Sequence, residues 1–268
     1  MKKDIIENCP ICFNASTVIA IVPTINANAD DRVELRCCNR CGHWWHSPIP
    51  VQEELNKLYR CASSYVVSDD AKKYFQNKVT TDSFQDYVFK RADEKPGKYL
   101  EIGTGGGGLL RRFRAMNYTC YGVDPGQWVD DSSIVGSVDE LPNDMRCDVL
   151  VLQDVLEHVF DPVGLLTQLK KYLCDGGVVF CSFPCNDSRQ ARFYKDKWPM
   201  VRPYGHLHYF SFASAKNMFS ISGLSLNDIH LERITPIRNM MRSFNIRGLV
   251  YELLKGGKDQ IYAQAFVS

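Results

Sequence analysis

The sequence feature that most restricts the fold is the stretch "LEIGTGGGGLL", Leu100 to Leu110, in which five of eleven residues are glycine. It follows the apolar run "KYLEI" and opens the helical pattern "GGLLRRFRAM". Glycine weakens helices and strands because it loses more backbone freedom on folding than any other residue. The cluster therefore indicates a strand–loop–helix turn, where a ligand approaches the backbone too closely for side chains to fit.

Short apolar runs alternate with helical patterns after residue 97. The runs typical of buried strands are "KYLEI", "TCYGVD", "DVLVL" and "GVVFCSF", and helical patterns lie at "GLLRRFRAM" and "PVGLLTQLKKYL". This alternation predicts an α/β fold with a parallel sheet and helices on both faces. Two further strands are expected at "LSLNDIHLERI" and "QIYAQAFVS", with a helical stretch over Arg238–Lys255 between them.

Composition limits the class of protein. The chain has 268 residues, 45% hydrophobic and 24% charged, which suits one large domain or a medium domain with a small one attached. Its charges nearly cancel, to +1, so it has no overall basic field for a nucleic acid. No apolar run is long enough to span a membrane, and "MKKDIIENCP" lacks the apolar core of a signal peptide. We therefore expect a cytoplasmic protein with no membrane partner.

Four cysteines near the N-terminus form two C-x2-C pairs, separated by 25 residues: Cys9, Cys12, Cys38 and Cys41. Two such pairs supply four thiolates for a tetrahedral zinc ion. Strand-like runs between them, "TVIAIVPT" and "RVELRC", are typical of a zinc ribbon. Four thiolates leave no coordination position open for catalysis, which predicts a structural zinc.

Nearby residues leave alternatives for this module. Cys37 is an alternative to Cys38, although Gly42 after Cys41 favours the Cys38 spacing. His43 and His46 are either spare ligands or surface histidines. The predicted organisation is a zinc-ribbon module over 1–50, a helical linker or lid region over 51–96 and an α/β domain over 97–268. Helices in the middle region are expected at "VQEELNKLYR" and "DSFQDYVFKRADE".

The spacing of the glycines fits two ligand classes. Gly103, Gly105 and Gly108 match the dinucleotide pattern G-x-G-x-x-G. Gly103, Gly105 and Gly107 match G-x-G-x-G with an acid two residues earlier, Glu101, a pattern that resembles class I S-adenosylmethionine-dependent methyltransferases. Asp124 follows the next strand and would hold ribose hydroxyls in either class. A Glu101 carboxylate is unfavourable beside a pyrophosphate but suits the ammonium and sulfonium of S-adenosylmethionine.

Downstream motifs favour the second class. "CDVLVLQDVLEHVFDP", Cys147 to Pro162, is followed by "GGVVFCSFP" and "GHLHYFS". With the glycine loop, these make the chain from about Lys98 onward resemble the class I methyltransferase family. The resemblance is greatest to the broad group that includes ubiquinone-biosynthesis O-methyltransferases and many natural-product enzymes. It implies a Rossmann-like seven-stranded sheet, with S-adenosylmethionine as the cofactor.

The resemblance also implies roles for individual residues. Gly103, Gly105 and Gly107 give the methionine part and the ribose close access. Glu101 lies near the amino-acid end, and Asp124 bonds the ribose. The remaining cofactor contacts implied are Ser137, Val138 and Asp139 at the adenine, and Gln153 and Asp154 facing the methionine and the acceptor. Many relatives carry an acid where this chain has Ser137, so Asp139 is an alternative partner for the adenine amine.

Three histidines are candidates for the general base. His158 follows Glu157 in "DVLEHV" and is expected to begin a helix beside the methyl donor, either as a base or as a structural hydrogen-bonding group. His206 and His208, in "YGHLHYFS", follow the fifth strand and share one face of an extended segment. They are either both catalytic, or one lines the pocket and the other is structural.

Two other features of this region remain open. Asp154, Glu157 and His158 together resemble a divalent-metal site of ubiquinone O-methyltransferases. Four aromatic residues near His206 are predicted to form either an acceptor wall or part of the core: Trp198, Tyr204, Tyr209 and Phe210.

Three functions follow. "RCCNRCGHWWHSPIPVQEELNKLY" resembles the zinc ribbon that precedes some small-molecule and sugar C- or O-methyltransferases, where it can cover the acceptor site. The leading hypothesis is methyl transfer to a small metabolite, at a hydroxyl or carbon of a sugar nucleotide or natural-product intermediate. The alternative is an RNA methyltransferase that holds RNA with local basic residues: Arg32, Arg36, Arg40, Lys57 and Arg60. Interleaved acids and the neutral balance argue against nucleic acid. The third hypothesis is a non-catalytic binding module.

Overall fold

The fold is taken from a computed structural model of the chain. It describes residues 3–24, 32–55, 57, 83–92, 97–126, 128–231 and 259–267. The helical stretch predicted over 238–255 lies outside the described residues, as does most of the region 51–96. Among the helices that are described, none is both long and apolar enough to cross a lipid bilayer.

The N-terminal part is a small antiparallel module. Its strands are β1 (Lys3–Asp4), β2 (Ser16–Pro23), β3 (Arg32–Cys38), β4 (Trp44–Ser47) and β5 (Ile49–Pro50). β3 pairs with β2 and β4, while β1 pairs with β5. The β2–β3 hairpin confirms the two strands predicted between the cysteine pairs.

The described residues from 98 to 267 contribute a seven-stranded mixed sheet. Its strands are β6 (Lys98–Ile102), β7 (Thr119–Val123), β8 (Ile134–Val135), β9 (Cys147–Gln153), β10 (Leu173–Pro184), β12 (Leu224–Leu231) and β13 (Gln260–Val267). The order is β12-β13-β10-β9-β6-β7-β8, with β13 antiparallel to both neighbours and the strands from β10 to β8 parallel. The seven-stranded α/β sheet predicted from the sequence is confirmed.

Helices cover both faces of this sheet. They are α1 (Ser83–Phe89), α2 (Gly108–Ala115), α3 (Pro162–Lys170) and α5 (Phe212–Ile221). The short helix α4 (Arg189–Tyr194) instead buries Ala191 with residues of the ribbon. α1 and α2 bury aromatic side chains such as Phe84 and Phe113 on one face, while α3 and α5 bury Leu166 and Met218 on the other. Burying apolar surface on both faces explains why the central strands are almost continuously hydrophobic.

A short strand joins the two parts. β11 (His208–Tyr209) lies after β10 in sequence but pairs with β4, giving a second sheet in the order β11-β4-β3-β2. Trp198 is buried with Leu35 of β3 and Tyr209 of β11, so it packs against this second sheet. The sequence predicted two modules in succession, and local patterns do not reveal that they share a sheet.

Candidate functional site

The four predicted zinc ligands converge in one cluster. The Sγ atom of Cys12 lies 3.4 Å from that of Cys38 and 3.5 Å from that of Cys41, and Cys9 lies 3.6 Å from Cys41. Thiolates bound tetrahedrally to zinc at about 2.3 Å are separated by about 3.8 Å. The donor set and its spacing therefore fit a zinc ion.

Local contacts explain why Cys38 belongs to the cluster rather than Cys37. The backbone amides of Arg40 and Cys41 each donate to the Sγ of Cys38 at 3.4 Å, as expected for a turn that supports a thiolate. The Sγ of Cys37 instead points to the carbonyl of Cys38. Gly42, with φ +69°, closes the turn in a conformation that favours glycine.

The glycine loop forms an open cradle at the carboxyl end of β6. A Cβ added to Gly103, which has φ +74°, would lie 2.6 Å from Cγ2 of Val155. At Gly105 an added Cβ would meet no atom within 4 Å, so the backbone faces open space. One buried polar atom at this loop, Oγ1 of Thr104, has no partner within the described part of the chain. These features fit a polar ligand such as S-adenosylmethionine.

Asp124 lies at the end of β7, facing this cradle. Its Oδ2 accepts a hydrogen bond from the amide of Gly105 at 2.7 Å, and its Oδ1 accepts one from Gly126 at 2.8 Å. A carboxylate has about four lone-pair positions, so both oxygens can still accept ribose hydroxyls. Asp124 therefore holds the glycine loop in place and remains able to bind the ribose, as predicted.

Glu101 lies beneath the loop. Its burial raises the pKa to about 8, an effect partly offset by hydrogen bonds from the Tyr99 hydroxyl and from the backbone amide of Leu110 in α2. A nearby cation favours the ionised form of a carboxyl group. The ammonium of a bound methionine moiety would therefore stabilise the Glu101 carboxylate.

The other predicted cofactor residues lie at the neighbouring strand ends. Ser137 donates to Glu140 at 3.0 Å, and Asp139 accepts from Gln168 of α3 at 3.0 Å. Val138 packs against the main core. Gln153 ends β9, next to Asp154.

Asp154 has a left-handed backbone, with φ +54°. Its Oδ1 accepts from the Nε2 of Gln260 at 2.7 Å and from the Oγ of Ser182 at 3.3 Å. A non-glycine residue in this conformation is strained and is held by its surroundings, often at functional sites. Gln260 and Ser182 were not predicted, because they reach Asp154 from strands distant in sequence.

The sequence predicted that His158 begins a helix, and the structure contradicts this prediction. Glu157 and His158 lie in a turn, and α3 begins at Pro162. Asp161 caps the helix by accepting from the amide of Gly164, and proline is favoured in the first turn. Asp154, Glu157 and His158 therefore do not share one helical turn.

Glu157, His158 and His206 form a second group of side chains that are of types able to ligate a metal, and one nitrogen or oxygen atom of each lies within 4.8 Å of the others. The rings of His158 and His206 lie 4.7 Å apart, nearly perpendicular. The backbone carbonyl of Glu157 accepts from the amides of Leu207 and His208 at 2.7 and 3.2 Å. These bonds hold the turn after β9 against the segment after β10, so two of the three predicted histidine candidates meet.

His208 lies on the ribbon side of this segment. Its Nδ1 is 3.2 Å from Nε2 of His43, and its Nε2 is 3.3 Å from the carbonyl of Phe160. The ring is fully buried, which suits a positioning role rather than proton transfer from an acceptor. His43 and His46 are also buried, so they are neither zinc ligands in the cluster nor surface residues.

The four aromatic candidates are all buried. Trp198 donates its Nε1–H to Asp259 at 2.7 Å, and the hydroxyl of Tyr209 accepts from the amide of Arg202 at 3.0 Å. Phe210 packs in the main core. Tyr204 differs, because its buried hydroxyl has no partner in the described residues.

Replacing Asp124 with alanine is expected to lower the affinity for S-adenosylmethionine by about 10- to 100-fold, because hydrogen bonds to a charged group contribute about 1.5–3 kcal/mol. Titration calorimetry measures this change. Asp130→Ala, which removes an exposed carboxylate six residues away, is the matched control. Equal affinities for both variants would remove Asp124 from the site.

Stability is expected to fall as the pH drops below about 6.5, the ordinary pKa of histidine. Burial lowers the pKa of His46 and His206 to about 3 and that of His208 to about 4. The unfolded chain therefore binds more protons than the folded chain, which costs up to about 1.4 kcal/mol per pH unit for each histidine. Urea unfolding between pH 7.5 and 5 tests this, with zinc content monitored. In the His206→Gln variant the free energy of unfolding should fall less steeply with decreasing pH. An unchanged dependence would contradict the view that buried, neutral His206 contributes to it.

The fold and the site define a class. A mixed seven-stranded sheet with an open glycine cradle at the carboxyl end of β6, and an acid at the end of β7, defines a nucleotide-type cofactor site of an α/β enzyme. A family model described as a methyltransferase domain matches residues 75–228, more than half of the chain. The chain belongs to this methyltransferase family, whose cofactor is S-adenosylmethionine.

Solved structures share the fold. One is the 1,6-didemethyltoxoflavin-N1-methyltransferase of Burkholderia thailandensis, bound to 1,6-didemethyltoxoflavin and S-adenosylhomocysteine, with TM-score 0.59, 13% identity and coverage of 92% of this chain and 100% of that one. Phosphoethanolamine N-methyltransferase 2 of Haemonchus contortus has a TM-score of 0.52 and 13% identity, with coverage of 92% of this chain and 71% of that one. A chain from the complex of the Haloferax volcanii Trm112 methyltransferase activator with a methyltransferase has a TM-score of 0.51 and 15% identity. The match covers 81% of this chain and 99% of that one. A search of curated proteins finds no match.

Proposed function

We propose that this methyltransferase acts on a small-molecule acceptor of the sugar-nucleotide or natural-product type, with a histidine as general base. The observation that supports this most is the position of the Glu157, His158 and His206 group. Val155 packs on Gly103 of the cofactor loop, and Glu157 follows two residues later. The group therefore lies beside the cradle, at the carboxyl edge of the sheet where ligands bind in α/β proteins.

S-adenosylmethionine, when bound, supplies a methyl group already activated by the sulfonium. The residues of this chain then have three tasks. Gly103 and Gly105 allow the cofactor to approach the backbone, and Asp124 orients its ribose. His158 accepts the proton that the acceptor loses, and His206 lines the same space. Burial lowers the pKa of His158, so its ring is neutral near pH 7 and able to accept a proton.

The ribbon is proposed to be a structural zinc module that shapes the acceptor side. The hydroxyl of Ser211 donates to the carbonyl of Cys41, and Asn186 donates to the carbonyl of Gly42 at 2.8 Å. His46, on β4, donates its amide to the carbonyl of Leu207 at 3.2 Å. A zinc-held turn thus contacts the segment that contains His206.

Two of the basic residues considered for RNA binding are already paired with acids, which favours a small molecule over RNA. Arg36 is ion-paired with Glu34, and Lys57 is paired with Glu53 and Glu54 at 3.0 and 2.9 Å. Paired cations offer less attraction to phosphates than free ones.

Transfer of radiolabelled methyl from S-adenosylmethionine tests the acceptor class. We expect label in small metabolites, including sugar nucleotides, and none in total RNA. Label in RNA, together with RNA binding that weakens steeply with salt, would overturn the proposal. The Asp124→Ala variant controls for label that does not depend on the cofactor site.

A further inference from the structure

Two buried histidines join the cysteine cluster of the ribbon to the turn that contains His158. His43 lies between Cys41 and β4, and its Nε2 is 3.2 Å from Nδ1 of His208. Nε2 of His208 lies 3.3 Å from the carbonyl oxygen of Phe160, two residues after His158. Both imidazole rings are 0% exposed, so water does not compete for either contact. A chain of two contacts therefore runs from the ribbon to the turn after β9.

The carbonyl of Phe160 determines where the protons lie in this pair. A carbonyl oxygen only accepts hydrogen bonds, so Nε2 of His208 carries a proton. Burial lowers the pKa of His208 to about 4, which keeps its ring neutral near pH 7. A neutral imidazole with its proton on Nε2 has an unprotonated Nδ1, so Nε2 of His43 donates to it. Each hydrogen bond of the chain therefore has one defined donor and one defined acceptor.

The backbone of His43 is held by the cysteine cluster. Its amide donates to the Sγ of Cys41, and its carbonyl accepts from the amide of Cys38 at 2.8 Å. Its ring stacks on that of His208, with the centroids 5.3 Å apart, and packs against Phe210 at 5.0 Å. The zinc turn and the aromatic neighbours together leave His43 little freedom, so it presents Nε2 in one orientation.

His208 holds the turn on both sides of His158. Its backbone amide donates to the carbonyl of Glu157 at 3.2 Å, immediately before His158. Its ring donates to the carbonyl of Phe160, with that of Val159 also in contact, so the residues immediately after His158 are held as well. Fixed points on both sides restrict the backbone at His158 and with it the direction in which the imidazole projects.

A polar pair is unfavourable at a position where an apolar pair would suffice for packing. Nδ1 of His43 is buried and has no partner among the residues that the structure describes, which carries a desolvation cost. Replacing both partners of a buried hydrogen bond with apolar groups of the same shape is often nearly neutral for stability. Apolar groups, however, cannot donate to the carbonyl of Phe160. The pair therefore contributes more to the orientation of the turn than to stability.

We propose that His43 and His208 are positioning residues, through which the zinc ribbon fixes the turn that contains the general base His158. This rests on the proposed function and deepens it, because it names the contacts by which the ribbon acts on the base. Without the donor of His43, Nδ1 of His208 has no partner in the pair and its ring is free to turn away from Phe160. The turn then loses one of its fixed points.

Nitrogen NMR of the histidine rings tests the pair directly in the full, zinc-loaded protein. An N–H···N hydrogen bond gives a scalar coupling between its two nitrogens. We expect this coupling between Nε2 of His43 and Nδ1 of His208, with the proton of the His208 ring on Nε2. Spectra without the coupling, or with the proton on Nδ1 of His208, would overturn the inference.

Two substitutions of similar length separate the hydrogen bond from packing. His43→Gln keeps a side-chain N–H that can reach His208, whereas His43→Met has no donor. We expect His43→Met to shift the ring signals of His158 and to lower kcat by about 10- to 100-fold, since a displacement of about 1 Å can cost about 100-fold. Its zinc content, its affinity for S-adenosylmethionine and the KM of the acceptor should change little. His43→Gln should restore both the signals and kcat.

A double variant and a control complete the test. If the two histidines act as one chain, His43→Met combined with His208→Met should lower kcat no further than His208→Met alone. Val33→Ala removes a buried side chain from β3 of the same ribbon and should lower stability without changing kcat or the His158 signals. Additive losses, or a Val33→Ala variant that behaves like His43→Met, would overturn the inference.

Failure of the inference and failure of the proposed function give different results. The kcat values are measured with the acceptor that screening identifies. If His158→Asn lowers kcat while His43→Met changes neither kcat nor the His158 signals, the inference alone is wrong. If His158→Asn has normal kcat, the proposed base is wrong, and the coupling between the His43 and His208 nitrogens still shows whether the pair exists.

Discussion

Replacing Cys38 with serine is expected to release the metal from the N-terminal cluster and to reduce methyl transfer by about 100-fold or more. Structural zinc contributes about 10–16 kcal/mol to small modules that lack a large core, so its loss unfolds the ribbon. β4 then no longer pairs with β11, and the segment that contains His206 loses its support. Displacing a reacting group by about 1 Å is enough for a 100-fold loss.

Atomic emission measures the zinc content of the variant. Its rate of methyl transfer is measured with the acceptor that screening identifies. Cys37→Ser is the matched control, because Cys37 is adjacent in sequence but outside the cluster. The control should keep one zinc per chain and near-normal activity. Cys38→Ser should still bind S-adenosylmethionine, since the Asp124 site lies on the other part of the chain. Full activity in the zinc-free variant would contradict a role for the ribbon in shaping the acceptor site.

Replacing His158 with asparagine is expected to lower kcat by about 10²- to 10⁴-fold, the usual contribution of a general base. Asparagine retains a side-chain N–H that can reach the carbonyl of Gly205, which His158 contacts through Nδ1. It has no counterpart of the Nε2 that is proposed to accept the proton. The loss should therefore appear in kcat, with affinity for S-adenosylmethionine unchanged within about twofold.

A pH profile distinguishes catalysis from structural support. If His158 is the base, the variant should also lose the limb of the profile that reports ionisation of a histidine in the active enzyme. His230→Asn, at a partly exposed position on β12, is the control and should behave like the natural protein. A His158→Asn enzyme with normal kcat and an unchanged profile would exclude His158 as the base and leave His206 to be tested in the same way.

Local sequence patterns predicted the parts of the fold that depend on neighbouring residues. The strand–loop–helix unit around Gly103 and Gly105 was predicted because strand, loop and helix signals follow one another within about twenty residues. The choice of Cys38 over Cys37 was predicted from Gly42, which the turn requires at a positive φ.

Contacts between distant residues were not predictable in this way. The pairing of β4 with β11 joins residues more than 160 positions apart, and no periodicity records it. The same holds for Gln260, which reaches Asp154 across the sheet. His158 was predicted to begin a helix, but the helix begins at Pro162, where the pattern "PVGLLTQLKKYL" starts and where Asp161 and Pro162 provide the usual helix-start signal.

Calorimetric titration of the zinc-loaded protein with S-adenosylmethionine, and separately with NAD, tests the central claim most directly. The cradle at Gly103 to Gly107 with Glu101 beneath it predicts saturable binding of S-adenosylmethionine at one site and no binding of NAD. Binding of NAD instead, or of neither ligand, would contradict the assignment of this loop as the site of the methyl donor.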